Sequence, residues 1–299
     1  AVILCAKYIP YFYLAMWATQ VGCVIHIIAC DEAPDYKIPW LLTVLILPVA
    51  GFMLFFLFGN RKLKRKFIRR LDAMRKQTYF ARTEELVQNL AEEDLAASMD
   101  AQMLCKIADT NLFTNTIQRY YPLGEDMLEP LLADLRTAEK FIFMEYHAIE
   151  DEESYARLHE ILVRKAREGL DVRILYDDMG SIFFINRDFN EKLEREGIKC
   201  KAFNPVVPIL KMFMNNRDHR KITIIDGKIG FTGGYNLANE YFNIVNPYGH
   251  WKDTGIKIKG AAVNNFTAMF LEMWNATERD DVDMSKFFVD EKSFPDKEG

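Results

Sequence analysis

The sequence predicts an α/β fold, a mixed sheet flanked by helices, that follows a pair of membrane-spanning helices. Two observations lead to this fold class. Two long apolar runs lie near the amino terminus, and beyond them helical stretches alternate with short apolar strands. Such alternation is typical of a sheet whose faces are covered by helices. At 299 residues the chain is long enough for one substantial domain and a smaller one.

The two apolar runs contain no Asp, Glu, Lys or Arg. They extend from Tyr8 to Cys30 and from Ile38 to Phe58, and each has about the 20 residues that a helix needs to cross a bilayer. A secretory signal peptide is the alternative for the first run, but that run is longer than a typical signal core and a second run follows at once. Residues 1–60 are therefore predicted to form a two-helix transmembrane hairpin.

The charges beside the runs predict an orientation. The segment Asp31–Lys37 is acidic, whereas Arg61–Arg70 contains seven basic residues. By the positive-inside rule the basic segment is cytoplasmic, and it also suits anionic lipid head groups. The prediction is a multi-pass position in a membrane, with the chain beyond Arg61 in the cytoplasm. The net charge of −5 says little about partners, because the positive charge is concentrated beside the membrane.

Beyond the hairpin, residues 61–115 are charged and rich in helix formers, which predicts a basic juxtamembrane helical connector. Residues 116–299 carry the alternating pattern, in which Gly169 and Gly197 are suited to end helices and Gly227 to form a hairpin turn. The predicted helices are Met127–Glu139, Tyr155–Glu168, Asp188–Glu196 and Ala262–Ala276, and the predicted strands are Lys140–His147, Asp171–Tyr176, Ile198–Phe203, Lys221–Asp226, Lys228–Thr232 and Asp253–Lys259.

One short stretch carries the residue types of phosphate chemistry. His219 and Lys221 lie at the start of a strand of period two, so both project to one face, about 7 Å apart. An imidazole can attack a phosphodiester while an ammonium neutralises its oxygens. Gly233 and Gly234 would let backbone N–H groups approach a phosphate, and Asn236 adds a side-chain donor.

A His two residues before a Lys is weak by itself, because surface basic clusters are common. The full string, His219-x-Lys221-x4-Asp226-x6-Gly233-Gly234-x-Asn236, sets six positions over eighteen residues. It resembles the signature of the phospholipase D superfamily. Stretches in the same order resemble bacterial cardiolipin synthases, namely MEYHAIED from Met144, ILYDDMGS from Ile174, FNPVVPIL from Phe203, FTGGYNLANEY from Phe231 and GHWKDT from Gly249.

The resemblance implies a phospholipase D-type sheet and a transphosphatidylation. In that reaction the His attacks phosphatidylglycerol, glycerol leaves, and a second phosphatidylglycerol resolves the phospho-histidine to cardiolipin. It implies that His219 is the nucleophile or its acid/base partner, and that Lys221 and Asn236 hold phosphate oxygens. Asp226 is expected to brace the strand and turn more than to touch substrate. Asp253 is the candidate that orients the His219 ring.

Other acidic residues have two interpretations each. Asp177 and Asp178 end a strand, as metal ligands often do, but the chemistry needs no metal, and strand-end caps are the ordinary alternative. No metal or other cofactor is therefore predicted, and the five cysteines form no C-x-x-C pair. Glu145 lies in an apolar strand, where it either faces the pocket or binds a nearby Arg.

The sequence departs from the resembled family in having one motif where that family has two. One interpretation is that residues 116–299 are the first catalytic half and that the carboxy-terminal half is absent. Another is a homodimer in which each protomer lends one histidine to a shared site. A related phospholipase D or phosphatidyltransferase, or a regulatory single-motif membrane protein, are further alternatives. Nucleic acid is not expected as a partner, because the basic residues lie mostly beside the membrane.

Overall fold

The computed structural model describes residues 2–59, 65–75, 84–108, 110–206, 216–278 and 283–294. The chain divides into two compact units, Ala1–Lys62 with Val206–Asn216 and Leu63–Pro205 with Arg217–Gly299. The first residues of the predicted basic segment, 61–64, and the end of the FNPVVPIL stretch, 207–210, lie outside the described residues.

The apolar unit contains three helices, α1 (Val2–Ala29), α2 (Pro34–Ile46) and α3 (Pro48–Phe58). Of the described helices, one is long and apolar enough to cross a membrane, over Tyr8–Ala29. The predicted two-helix hairpin is therefore shown only in part, because the second apolar run is divided into two short helices between Ile46 and Pro48.

Proline causes this break. Pro48 has no N–H to continue the helical hydrogen bonds, and its ring disfavours helical geometry at the preceding residue. Leu47 accordingly has φ −120° and ψ 77°. The Tyr36 hydroxyl, near the start of α2, donates to the carbonyl of Gly59, just after α3. The two short helices therefore fold back on each other.

The larger unit is built on a seven-stranded mixed sheet in the order β1-β7-β6-β5-β2-β3-β4. β2, β3 and β4 are parallel, and the other pairs are antiparallel. The strands are β1 (Thr116–Tyr121), β2 (Phe141–Tyr146), β3 (Asp171–Asp177), β4 (Lys199–Phe203), β5 (Lys221–Ile225), β6 (Ile229–Gly233) and β7 (Gly255–Gly260). The α/β fold class predicted from the sequence is confirmed, and β1 is an edge strand that was not predicted.

Helices cover both faces of the sheet. Leucines and aromatic residues of α7 (Gly124–Arg136), α8 (Glu153–Arg167) and α10 (Phe189–Arg195) form one core with alternate residues of the strands. The other face is covered by α11 (Val263–Thr277), with α4 (Arg65–Arg75) packed against it. The remaining helices are α5 (Glu84–Glu93), α6 (Leu95–Ala108) and the short α9 (Asp178–Ser181).

Strand pairing decides where the functional motif lies. β2 and β5 are antiparallel, with Tyr146 opposite Lys221. The carboxyl end of β2 therefore meets the amino end of β5, where the motif begins. β5 ends in a two-residue hairpin at Asp226 and Gly227, both of which have positive φ, +54° and +68°. Positive φ at both central residues is the geometry of a type I′ turn.

Candidate active site

His219 and Lys221 form the centre of the site at the start of β5. His219 is exposed, whereas Lys221 is buried, with 3% of its surface accessible. The Lys221 ammonium donates to the carbonyl oxygen of His219 at 2.9 Å. Among the described residues no carboxylate forms an ion pair with it. An ammonium has three donors, so this buried cation keeps hydrogen-bonding capacity for an anion at the edge of the sheet.

The surroundings of His219 favour the neutral imidazole. Loss of solvent around the ring lowers its pKa below the ordinary value, and the positive charge of Lys221 and the nearby His147 lower it further. Asp218 and Asp177 act in the opposite direction without reversing the shift. A neutral ring has the free lone pair that a nucleophile requires.

His147 joins the site from just after the end of β2, and no role was predicted for it from the sequence. Its ring lies against that of His219, with centroids 4.7 Å apart. Its Nδ1 lies 2.8 Å from the carbonyl oxygen of Asp218. The sequence shows only that His147 lies at the end of a predicted strand. That His147 lies beside His219 follows from the pairing of β2 with β5.

Asp177 is a cap that ties together the loops around the site. Its Oδ1 accepts hydrogen bonds from the N–H groups of Met179 and Gly180, and its Oδ2 accepts one from Asp218 at 2.8 Å. Arg217 also binds this carboxylate, with Nη1 3.3 Å from Oδ1. Asp178 begins α9. Within the described ranges no group of three potential metal ligands occurs, and Asp177 is engaged as a strand-end cap.

Glu145 is fully buried in β2 and binds an arginine. Its Oε1 lies 2.5 Å from Nη2 of Arg220, which also lies 3.4 Å from Asp218 through Nε. Burial alone would lower the pKa of Arg220, but the two carboxylates outweigh it and raise that pKa. Of the two roles considered for Glu145, the structure shows the arginine partner. Because Arg220 lies between His219 and Lys221, this pair holds the motif strand in place.

Asp226 lies at the opposite end of β5 from His219. Its two carboxylate oxygens accept backbone N–H groups of Glu139, Lys140 and Phe141 at 2.7–2.9 Å. These contacts tie the β5–β6 hairpin to the start of β2. The structure therefore places Asp226 in a bracing position, one strand length from the reacting groups.

The glycine pair has a packing role that the sequence interpretation did not foresee. A side chain at Gly233 would collide with the carbonyl of Thr254, and one at Gly234 with the carboxylate of Asp253. The Gly234 N–H donates to the Thr254 carbonyl at 3.2 Å. This N–H is used within the fold, and the approach of a phosphate to Gly233 and Gly234 stays a prediction.

Asn236 is buried and partly engaged. Its Oδ1 accepts from the N–H of Ala148 at 3.2 Å, and its Nδ2 donates to the Tyr241 hydroxyl at 2.8 Å. An amide nitrogen carries two donors, so one remains for a phosphate oxygen.

Asp253 is not joined to His219 in this structure. Its Oδ1 accepts from the N–H of Thr254 at 2.7 Å, and among the hydrogen bonds of the described residues none links it to the His219 ring. Its charge acts instead on Lys221, where it raises a pKa that burial lowers. The ring-orienting contact expected for Asp253 is therefore absent from the described part of the chain.

Comparison with known proteins identifies similar chains. Residues 131–274 match a family described as cardiolipin synthase, PLD-like domain, and residues 20–60 match a phospholipase D-nuclease N-terminal family. An uncharacterised protein of Streptococcus mutans is 36% identical over 266 residues, 87% of this chain and 57% of that protein. Cardiolipin synthase 2 of Staphylococcus epidermidis is 34% identical over 262 residues, 84% of this chain and 53% of that enzyme.

The solved structure of NucT from Helicobacter pylori is similar with a TM-score of 0.44 and 15% identity, covering 54% of this chain and 97% of that one. The chain spans a little over half the length of the curated relatives that it matches.

Proposed function

Because the chain belongs to the phospholipase D superfamily and carries the PLD-like domain of cardiolipin synthases, we propose that it forms part of a membrane-bound phosphatidyltransferase. The proposed reaction joins two phosphatidylglycerol molecules into cardiolipin and releases glycerol. The observation that carries the proposal is the buried Lys221 ammonium, with no carboxylate partner among the described residues, beside an accessible neutral imidazole. This pair suits an anionic phosphodiester.

In the first step the His219 nitrogen attacks the phosphorus of one phosphatidylglycerol. The bond from phosphorus to the head-group glycerol oxygen breaks, and that oxygen takes a proton from an acid and leaves as glycerol. Lys221 and Asn236 hold the phosphoryl oxygens and neutralise the charge that develops on them. In the second step a hydroxyl of another phosphatidylglycerol loses its proton to the same group and attacks the phospho-histidine. Cardiolipin forms and the imidazole is restored.

The acid is proposed to be a second histidine from outside this half of the site. Attacking and leaving groups are roughly in line across phosphorus, so the acid must face the nucleophile from the far side of the phosphate. A carboxy-terminal half or a second protomer would supply it. The apolar helix at Tyr8–Ala29 fits a membrane protein, and the proposed arrangement places the catalytic unit on the cytoplasmic side.

The experiment measures lipid products in nanodiscs that contain phosphatidylglycerol. The protein tested is the product of the complete gene, so that any second half encoded beyond residue 299 is included. We expect cardiolipin and glycerol from this protein, and a loss of at least about 1,000-fold in its His219→Asn variant, since removing a nucleophile leaves only binding and electrostatic effects. The matched control is His159→Asn, because His159 lies on α8 and pairs with Glu196 at 2.7 Å. Phosphatidic acid without cardiolipin would instead identify a hydrolase. A His219→Asn variant as active as the wild type would refute the proposal.

A further inference from the structure

The contact between His147 and His219 is not part of the phosphate-binding motif. The two rings come from different strands, and their centroids lie 4.7 Å apart with the planes inclined by 53°. We propose that His147 is a positioning residue for the reaction, whose ring fixes the orientation from which the His219 imidazole reaches phosphorus. This inference rests on the proposed function, which supplies the reaction that His219 performs.

The fold holds the His147 ring from two sides. A backbone carbonyl can only accept, so Nδ1 of His147 donates its proton to the carbonyl oxygen of Asp218. On another side, a side-chain carbon at Gly180 would lie 2.9 Å from Cε1 and Nε2 of the ring. Glycine at this position therefore leaves the space that the ring occupies.

A single carboxylate joins the two supports of the ring. Asp177 accepts from the N–H of Gly180 at 3.2 Å and from the N–H of Asp218 at 2.8 Å. Gly180 and Asp218 both lie beside the His147 ring, and Asp218 directly precedes His219. The cap at the end of β3 therefore holds His147 and His219 in one rigid arrangement.

The short distance between the two rings excludes His147 as the acid that protonates the leaving group. In an in-line displacement the phosphorus lies between the nucleophile and the acid that protonates the leaving group. Centroids 4.7 Å apart are within the range of direct ring contact, which leaves no space for a phosphoryl group. His147 therefore acts through His219 and does not replace the second histidine of the complete site.

The contact also has an electrostatic consequence. Lys221, His147, Asp218 and Asp177 are the charged or titratable groups that act on His219. His147 is among those that lower the pKa of His219, after loss of solvent and Lys221. Two adjacent imidazoles disfavour double protonation, so His147 helps to keep the nucleophile neutral.

The test uses two variants and one matched control. His147→Phe keeps a ring but removes its nitrogens, and His147→Asn keeps a donor for the Asp218 carbonyl but removes the ring. His159→Phe is the control, because His159 also has a polar partner, Glu196, and a ring neighbour, Tyr155, whose centroid is 5.6 Å away. All are studied as the full chain with its membrane segment.

The first readout is the NMR titration of the His219 ring in histidine-labelled protein without substrate, assigned with His219→Asn. We expect a nuclear Overhauser contact between the two rings in the wild type. The pKa of His219 should rise in both His147 variants and stay unchanged in His159→Phe. The second readout is transfer from phosphatidylglycerol, where kcat should fall about 10- to 100-fold in the His147 variants because the nucleophile is misplaced. KM should stay within about twofold, because ground-state binding is retained.

Several results would overturn the inference. An unchanged His219 titration in both His147 variants would do so, as would an equal change in His159→Phe. If both His147 variants failed to fold, His147 would be a structural residue and the inference would be wrong. If the wild type transferred no phosphatidyl group, the proposed function would fail, and the NMR contact and titration would still decide the ring contact independently.

Discussion

At the scale of the residue, the site depends on one buried cation beside a neutral imidazole. Burial lowers the pKa of the Lys221 ammonium, while Asp218 and Asp253 act to raise it. The same ammonium lowers the pKa of His219. In the proposed reaction Lys221 therefore has two effects, since it would attract the phosphodiester and would keep the His219 imidazole unprotonated.

The lowered pKa of His219 predicts how kcat/KM changes on the acid side of the pH–rate profile. Protonation removes the nucleophilic lone pair, so kcat/KM should rise with pH through the pKa of His219 in the free enzyme. Because this pKa is lowered, the midpoint should lie below the ordinary histidine value of about 6.5. In Lys221→Gln the midpoint should move to higher pH, together with a large loss of activity. The measurement is a pH–rate profile in nanodiscs, and a midpoint above the ordinary value would contradict it.

At the scale of the element, an ion pair and a set of hydrogen bonds hold β5 against β2. Glu145 of β2 binds Arg220 at one end, and Asp226 binds the N–H groups that begin β2 at the other. β5 is buried along its whole length. The motif strand is therefore held at both ends by its neighbour, and its two reactive residues project from a rigid edge.

This bracing predicts that Asp226 contributes to stability rather than to the chemical step. Asp226→Ala should lower the free energy of unfolding by about 2–4 kcal/mol, because three backbone N–H donors lose their partner and that of Phe141 is buried. It also places an alanine at a positive φ, which is strained. Asp226→Asn should cost less, since Asn tolerates that φ. Activity per folded molecule should change little in either variant.

The measurement is denaturant unfolding in detergent. The control is Asp188→Asn, in a surface pair whose carboxylate oxygen lies 3.7 Å from Nη2 of Arg195, which should change stability by no more than about 1 kcal/mol. A folded Asp226→Asn variant without activity would contradict the bracing role.

At the scale of the whole molecule, the proposed reaction needs a partner for the site. The described unit brings one set of candidate phosphate-binding groups together around His219, and the contact between the rings of His147 and His219 argues against His147 as the in-line acid. The curated relatives are longer, with this chain spanning 57% and 53% of two of them. A second half, or a second copy, would complete the site.

Mixing experiments distinguish these two sources. If two copies each lend a histidine, equal amounts of wild-type and His219→Asn chains should give about a quarter of the wild-type activity, because random pairing in a two-fold dimer leaves about that fraction fully wild type. Independent sites should give about half. The measurement is cardiolipin formation in nanodiscs after co-refolding of the two chains. Both chains are produced from the complete gene. Activity of about half would exclude a site shared between copies and would show that each active molecule contains its own second histidine.

Periodicity and composition were enough to predict most elements of the larger unit. The α/β alternation, the hairpin after Asp226 and the motif at His219 depend on local patterns, because helices repeat every 3.6 residues and strands every two. The edge strand β1 was missed because its exposed residues follow no clear alternation. The second apolar run was read as one span because composition does not show that Pro48 breaks the helix.

What the sequence alone determined is the candidate site, since the types and spacing of His219, Lys221 and Asn236 are properties of the chain itself. Only the tertiary structure decided which residues surround them. His147 and Asp177 are 72 and 42 positions away from His219 along the chain, and they reach it because β2 pairs antiparallel with β5 and parallel with β3. Register between distant strands is set by burial across the whole sheet, and no local pattern around the motif contains that information.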